Sequence, residues 1–134
     1  RNSYEESGTR HEIIIKASKL GWINCDAFYN LKRTANLTVK INEPFDPIVR
    51  MVFVKRKVVL PGQVAKKTNN TVFSKVPLNE NVYILAYGVS KDKSAVKWQL
   101  ISHKLLKKNE IIELELTQQS SMDEFKMMLA ERFD

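Results

Sequence analysis

Residues 71–117 read TVFSKVPLNENVYILAYGVSKDKSAVKWQLISHKLLKKNEIIELELT, and their patterning decides the fold. Four runs, Thr71 to Val76, Val82 to Val89, Val96 to His103 and Glu110 to Thr117, are separated by three short polar turns. Short runs rich in Val, Ile and Tyr between turn residues read as β-strands. With residues 90–95 as a hairpin loop, Val89 falls opposite Val96, Tyr87 opposite Trp98 and Leu85 opposite Leu100. Opposed residues of an antiparallel pair share a face, so this register gathers these six side chains on one side. The other side then carries Ile84, Ala86, Gly88, Lys97, Gln99, Ile101 and His103. A one-residue slip would set Lys97 beside Tyr87 and scatter the aromatic rings, so the first register is expected. Tyr87 and Trp98 accordingly belong to the core.

Outward from this stretch the strand signals continue. Ala35 to Ile41 alternates, with Leu37, Val39 and Ile41 inward. Glu43-Pro44 and Asp46-Pro47 break it, and Ile48 to Val54 follows, apolar on both faces except for Arg50, as in a strand covered on both sides. Lys55-Arg56-Lys57 interrupts, Val58 to Leu60 resumes, Pro61-Gly62 ends the run, and Gln63 to Asn70 is polar and turn-rich. In Glu110 to Thr117, Ile112, Leu114 and Leu116 alternate with the solvent-facing Glu113 and Glu115. Ser121 with Glu124 three residues on is a capping-box pattern, and Met122, Phe125, Met128, Leu129 and Phe133 then fall on one helical stripe.

At the other end of the chain, residues 1–10 lack an apolar period and read as a flexible lead-in. Glu12 to Ser18 is a further strand candidate, and Leu20 to Tyr29 an ordered loop packed by Trp22, Ile23 and Phe28. Residues 11–134 thus form a single domain. About seven or eight short strands with a short C-terminal α-helix make the expected fold mainly β, an antiparallel β-sandwich, with a closed barrel as the alternative.

Composition narrows the function. The 134 residues are 43% hydrophobic and 28% charged, which suits a globular domain rather than a disordered chain. No apolar run approaches the ~20 residues of a membrane-spanning helix. One cysteine, Cys25, excludes an intrachain disulfide. The sequence begins at Arg1 rather than Met, from which a processed chain is expected, with a signal or lipid-attachment segment removed. Metal-ligand spacings such as C-x-x-C or H-E-x-x-H are missing, the four glycines are isolated from one another, and no cofactor is expected. A thiol enzyme would need Cys25 with His11 or His103, but Cys25 sits among Trp22, Ile23 and Phe28, where it reads as a small buried hydrophobe.

The net charge of +7 raises the question of anionic partners. Lys55, Arg56, Lys57, Lys66, Lys67, Lys104, Lys107 and Lys108, with Lys91 and Lys93, fall at strand ends and turns. Solvated lysines normally sit there and guard sheet edges; as a binding set they would take an anionic glycan or nucleic acid. Nucleic acid is disfavoured, because Tyr87 and Trp98, which could stack bases, are assigned to the core.

The segment Leu20-Gly21-Trp22-Ile23-Asn24-Cys25-Asp26, with Phe28 two residues on, resembles a segment of uncharacterised Bacteroidetes cell-envelope proteins, many of them lipoproteins. Ala27 stands where that pattern has Arg, so no role of that arginine carries over. Phe73, Val76-Pro77 and the run Val82 to Ala86 are similar to carboxypeptidase-regulatory or transthyretin-like sandwich modules. The resemblance implies an extracytoplasmic location, in the periplasm or at the outer surface, and supplies no catalytic residues. The expected function is a non-enzymatic structural or binding module whose partner is an envelope protein or a glycan. Anionic-polymer binding through the lysine-rich turns is the second expectation and a Cys/His enzyme the third. Trp22, Asn24, Cys25, Asp26 and Phe28 are the candidate functional or structural loop.

Overall fold

The computed structural model describes residues 33–54, 58–65 and 70–133. Among them are nine strands and one helix: β1 (Thr34–Ile41), β2 (Ile48–Phe53), β3 (Val58–Pro61), β4 (Gln63–Val64), β5 (Thr71–Pro77), β6 (Asn81–Val89), β7 (Ala95–Lys104), β8 (Asn109–Leu114), β9 (Gln118–Ser121) and α1 (Met122–Phe133). They build two sheets, in the orders β4-β5-β1-β8 and β3-β2-β6-β7-β9. The strand expected at Glu12 to Ser18 and the loop expected at Leu20 to Tyr29 lie outside the described residues.

The β6–β7 hairpin has the expected register, Val89 against Val96, Tyr87 against Trp98 and Leu85 against Leu100. The two faces of β6 are buried in different ways. Leu85, Tyr87 and Val89 join Val96 and Phe125, Leu129 and Phe133 of α1 in one cluster, with Trp98 and Leu100 at its margin. Ile84 and Ala86 join a second cluster that links Met51 and Phe53 of β2 to Leu37, Val39 and Phe73 of the other sheet. β2 is buried along its whole length and feeds both clusters alternately, as its uninterrupted apolar run predicts.

α1 starts where the capping box places it. The Ser121 N–H donates to Glu124 Oε1 at 3.0 Å, and the Glu124 N–H donates to Ser121 Oγ at 3.1 Å. The Met122 N–H donates to the Ser94 carbonyl at 3.1 Å, which ties the helix start to the β6–β7 loop. From there the helix runs back along the sheet, burying Phe125, Leu129 and Phe133 from the expected stripe.

Two expectations are corrected. The four-stranded sheet is not wholly antiparallel, because β8 runs parallel to β1, Asn36 against Asn109 through Ile41 against Leu114. The edge of β7 that β8 could have taken is occupied by β9, and residues 105–108, with Leu105 fully buried, carry the chain to the other sheet. The strands number nine among the described residues alone, against the seven or eight expected of the whole chain, since β4 and β9 are short and mostly exposed and carry no apolar alternation. The alternation of Leu114 and Leu116 does persist beyond the ladder, both side chains being buried.

Between β1 and β2 the chain passes from one sheet to the other, and Phe45 from this connection is buried over Gly88 of β6. A β-carbon on Gly88 would overlap the edge of the Phe45 ring, with Cζ at 2.7 Å. Gly88 is therefore there for close approach and not for a turn. Beside it Lys97 Nζ, opposite Gly88 in the ladder, donates to Glu43 Oε1 at 2.9 Å, so the same connection is fixed by an ion pair.

Candidate functional site

The start of β1, the end of β5, the start of β6, the end of β7 and the start of β8 meet at one end of the two sheets. Thr34 pairs with Pro77, Asn81 with Lys104 and Asn36 with Asn109. Backbone bonds tie the turns together: Asn79 N–H to the Leu105 carbonyl at 2.8 Å, Leu78 N–H to that of Arg33 at 3.3 Å, and Asn36 N–H to that of Lys108 at 2.8 Å. Arg33, Lys75, Lys104, Lys107 and Lys108 are brought to this pole, and all five are exposed. Lys75 sits in a bulge of β5, where the register with β1 shifts, at φ 58°.

Of the basic residues singled out in the sequence, Lys104, Lys107 and Lys108 are thus gathered here. Lys91 and Lys93 lie at the opposite end, in the β6–β7 loop. Lys55, Arg56, Lys57, Lys66 and Lys67 lie outside the described residues, as do Trp22, Asn24, Cys25, Asp26 and Phe28. Arg33, which follows Lys32 in the sequence, and Lys75, within a strand run, lie outside the turn signals that marked the others; only the pairing of β1, β5 and β8 adds them.

The turn bearing Lys107 and Lys108 is organised by Glu110. Its Oε2 accepts from the Leu106 N–H at 2.7 Å and the Lys107 N–H at 3.1 Å, and its Oε1 lies 3.2 Å from His103 Nε2. The Leu106 N–H foremost, then Lys107 and His103, hold the carboxyl below its ordinary value of 4.5. A lowered carboxyl stabilises the fold above its unfolded-state value and loses that contribution as the pH falls through the folded-state one. Hydrogen-exchange protection of the Leu106 and Lys107 amides should therefore decline as the pH drops below 4.5. In Glu110→Gln it should be lower at neutral pH and flat across that window. NMR exchange rates measure both, and unchanged protection in the variant would remove Glu110 from this role.

Beside the turn lies a groove of about 650 Å³ lined by Phe53, Asn79, Glu80, Asn81, Tyr83 and Arg132. Asn79 holds φ 60°, a left-handed conformation that Asn tolerates better than most residues. The Tyr83 ring stands edge-on to Phe133, centroids 5.5 Å apart, and Arg132 occupies the last turn of α1. A second depression, about 700 Å³, lies at the far end among Lys40, Asn42, Asn70, Glu113 and Glu115, where the charges are mixed.

Other acidic side chains have local structural duties. Asp92 Oδ1 accepts from the Ser94 and Ser90 hydroxyls at 2.7 Å each and from the Ser94 N–H at 3.0 Å. These bonds, the Ser94 hydroxyl first, lower its carboxyl to about 2. Glu124 is held low by the Ser121 N–H and hydroxyl of the cap. Among the described residues no three or more His, Cys, Asp or Glu side chains cluster as a metal would require, and no helix is long and apolar enough to cross a membrane. Compared with protein-family models and with curated proteins, the sequence matches none.

Proposed function

We propose that this chain is a non-enzymatic β-sandwich, its two sheets stacked face to face, that acts outside the cytoplasm as a binding module for an anionic polymer through its basic pole. The observation that carries this reading is the convergence of Arg33, Lys75, Lys104, Lys107 and Lys108, supplied by separate elements, on one exposed end. Five basic side chains outnumber the acids Glu110, which keeps its charge while bonded to the turn, and Glu80, which has a bonding partner of its own. The sandwich is supported by the cluster that draws on both sheets. Location outside the cytoplasm rests on the resemblance of the Trp22 segment to envelope proteins.

The test separates the pole from overall charge. Lys104→Glu, Lys107→Glu and Lys108→Glu together should weaken binding to immobilised polyanions at least tenfold at ~0.1 M salt, where charge contacts of this kind still act across about 10 Å. Lys40→Glu, Lys91→Glu and Lys93→Glu change the net charge equally at the far end and should leave affinity within about threefold. Equal losses in both triples would show that net charge alone drives retention and would end the pole reading. Fractionation of the native host decides location, and residence in the cytosol removes that part.

A further inference from the structure

We infer that the groove beside the basic pole is a saccharide subsite, and that the polymer is an acidic polysaccharide bearing carboxylate or sulfate groups; this rests on the pole being the binding surface. The groove's lining differs in kind from the lysine turns; its one carboxylate, Glu80, has a bonding partner of its own. Arg132 offers a planar fork of donors that matches a carboxylate or sulfate in two parallel bonds, which a lysine ammonium cannot do. Asn79 and Asn81 each present both a donor and an acceptor, the combination that a sugar hydroxyl complements. Among the described residues, none hydrogen-bonds to the side chains of Asn79, Asn81 or Arg132. Tyr83 adds one partly exposed ring for the apolar face of a sugar. The volume of about 650 Å³ lies within the ~300–1,000 Å³ of small-molecule sites.

Placement links groove and pole into one surface. Asn81 stands opposite Lys104 in the β6–β7 ladder, and the backbone of Asn79 is bonded to Leu105, one residue further along the same turn. A chain with one sugar ring in the groove therefore continues over Lys104, Lys107 and Lys108, which meet its further charges without directional demands. Nucleic acid fits less well. Single-stranded recognition wants successive aromatic platforms, and here Tyr87 is fully buried while Trp98 packs against Phe125 and donates its Nε1–H to Ser120 Oγ at 3.0 Å.

The experiment measures binding of the full chain, and of Arg132→Ala and Asn81→Ala, to a sulfated polysaccharide, a uronate polysaccharide, polyphosphate and single-stranded DNA at ~0.1 M salt. Both substitutions are at exposed positions, and near-ultraviolet circular dichroism checks that the fold is retained. The expected result is that at least one acidic polysaccharide binds more tightly than DNA or polyphosphate. Arg132→Ala should weaken that binding roughly ten- to a hundredfold and Asn81→Ala about tenfold, while polyphosphate affinity stays within about twofold. Whether the sulfated or the uronate polymer is preferred names the acid group. Wild-type affinity in both variants, or DNA bound at least as tightly as either polysaccharide, overturns the subsite. Absence of binding to all four polymers overturns the basic-pole reading beneath it.

Discussion

Phe125→Ala is expected to lower the stability by about 3–5 kcal/mol, the range for truncating a fully buried aromatic ring. Phe125 is completely inaccessible to solvent and lies between two other rings, its centroid 5.3 Å from that of Tyr87 and 5.9 Å from that of Trp98. Removing it forfeits transfer free energy, leaves a void beneath α1 and dissolves both ring pairs, each worth about 0.5–1.5 kcal/mol beyond area burial. Against the ~5–15 kcal/mol of an ordinary domain this is a large fraction. Urea unfolding followed by tryptophan fluorescence gives the number. A loss under about 1 kcal/mol would mean that α1 is a dispensable cover. Since Arg132 is carried by the same helix, a loosened α1 should also blunt the proposed saccharide binding before the sheets melt.

Gly88→Ala should cost about 2–3 kcal/mol, through overpacking rather than through a cavity. Gly88 lies in β6, paired across from Lys97, and the obstacle to a methyl group is the ring edge of Phe45. A central strand hydrogen-bonded to neighbours on both sides has little freedom to retreat. Phe45→Ala should be destabilising alone, yet the double variant should be at least about 1 kcal/mol more stable than the two single effects summed, because each change relieves the other. Strict additivity in denaturant midpoints would show that the ring moves aside and that Gly88 is not held by it.

Parts of this architecture are written plainly in the chain and parts are not. The β6–β7 register was legible because only one alignment keeps Tyr87 and Trp98 on the same side as Leu85 and Leu100, and both flanking faces are buried. The α1 start was legible because Ser121 and Glu124 satisfy each other locally. β9 was not, since Gln118 to Ser121 is a strand held by its ladder to β7 and by the Trp98 bond to Ser120, with no apolar pattern of its own. Nor was the pairing of β8, because alternation at Ile112 and Leu114 fixes a buried face and says nothing of the neighbour. The basic pole follows the same division. The lysines at turns could be named one at a time, but their meeting with Arg33 and Lys75 depends on which strands pair. Arg132 and Asn81 carry no signal of their own, because an arginine in a last helical turn and an asparagine at the start of a strand are ordinary local choices. Only the groove brings them together.

The parallel pairing of β1 with β8 also governs how the molecule assembles. Asn36 and Asn109, 73 positions apart in the chain, become neighbours only after the long intervening loop has closed, whereas β6 and β7 meet across a five-residue loop. Loop-closure entropy favours the hairpin as the first long-lived contact, and topologies rich in distant contacts fold slowly. During synthesis β1 can find β5 but must wait for β8, so one of its edges stays open over most of the chain's emergence. The basic pole, whose turns come from both ends of that interval, is therefore among the last features to form.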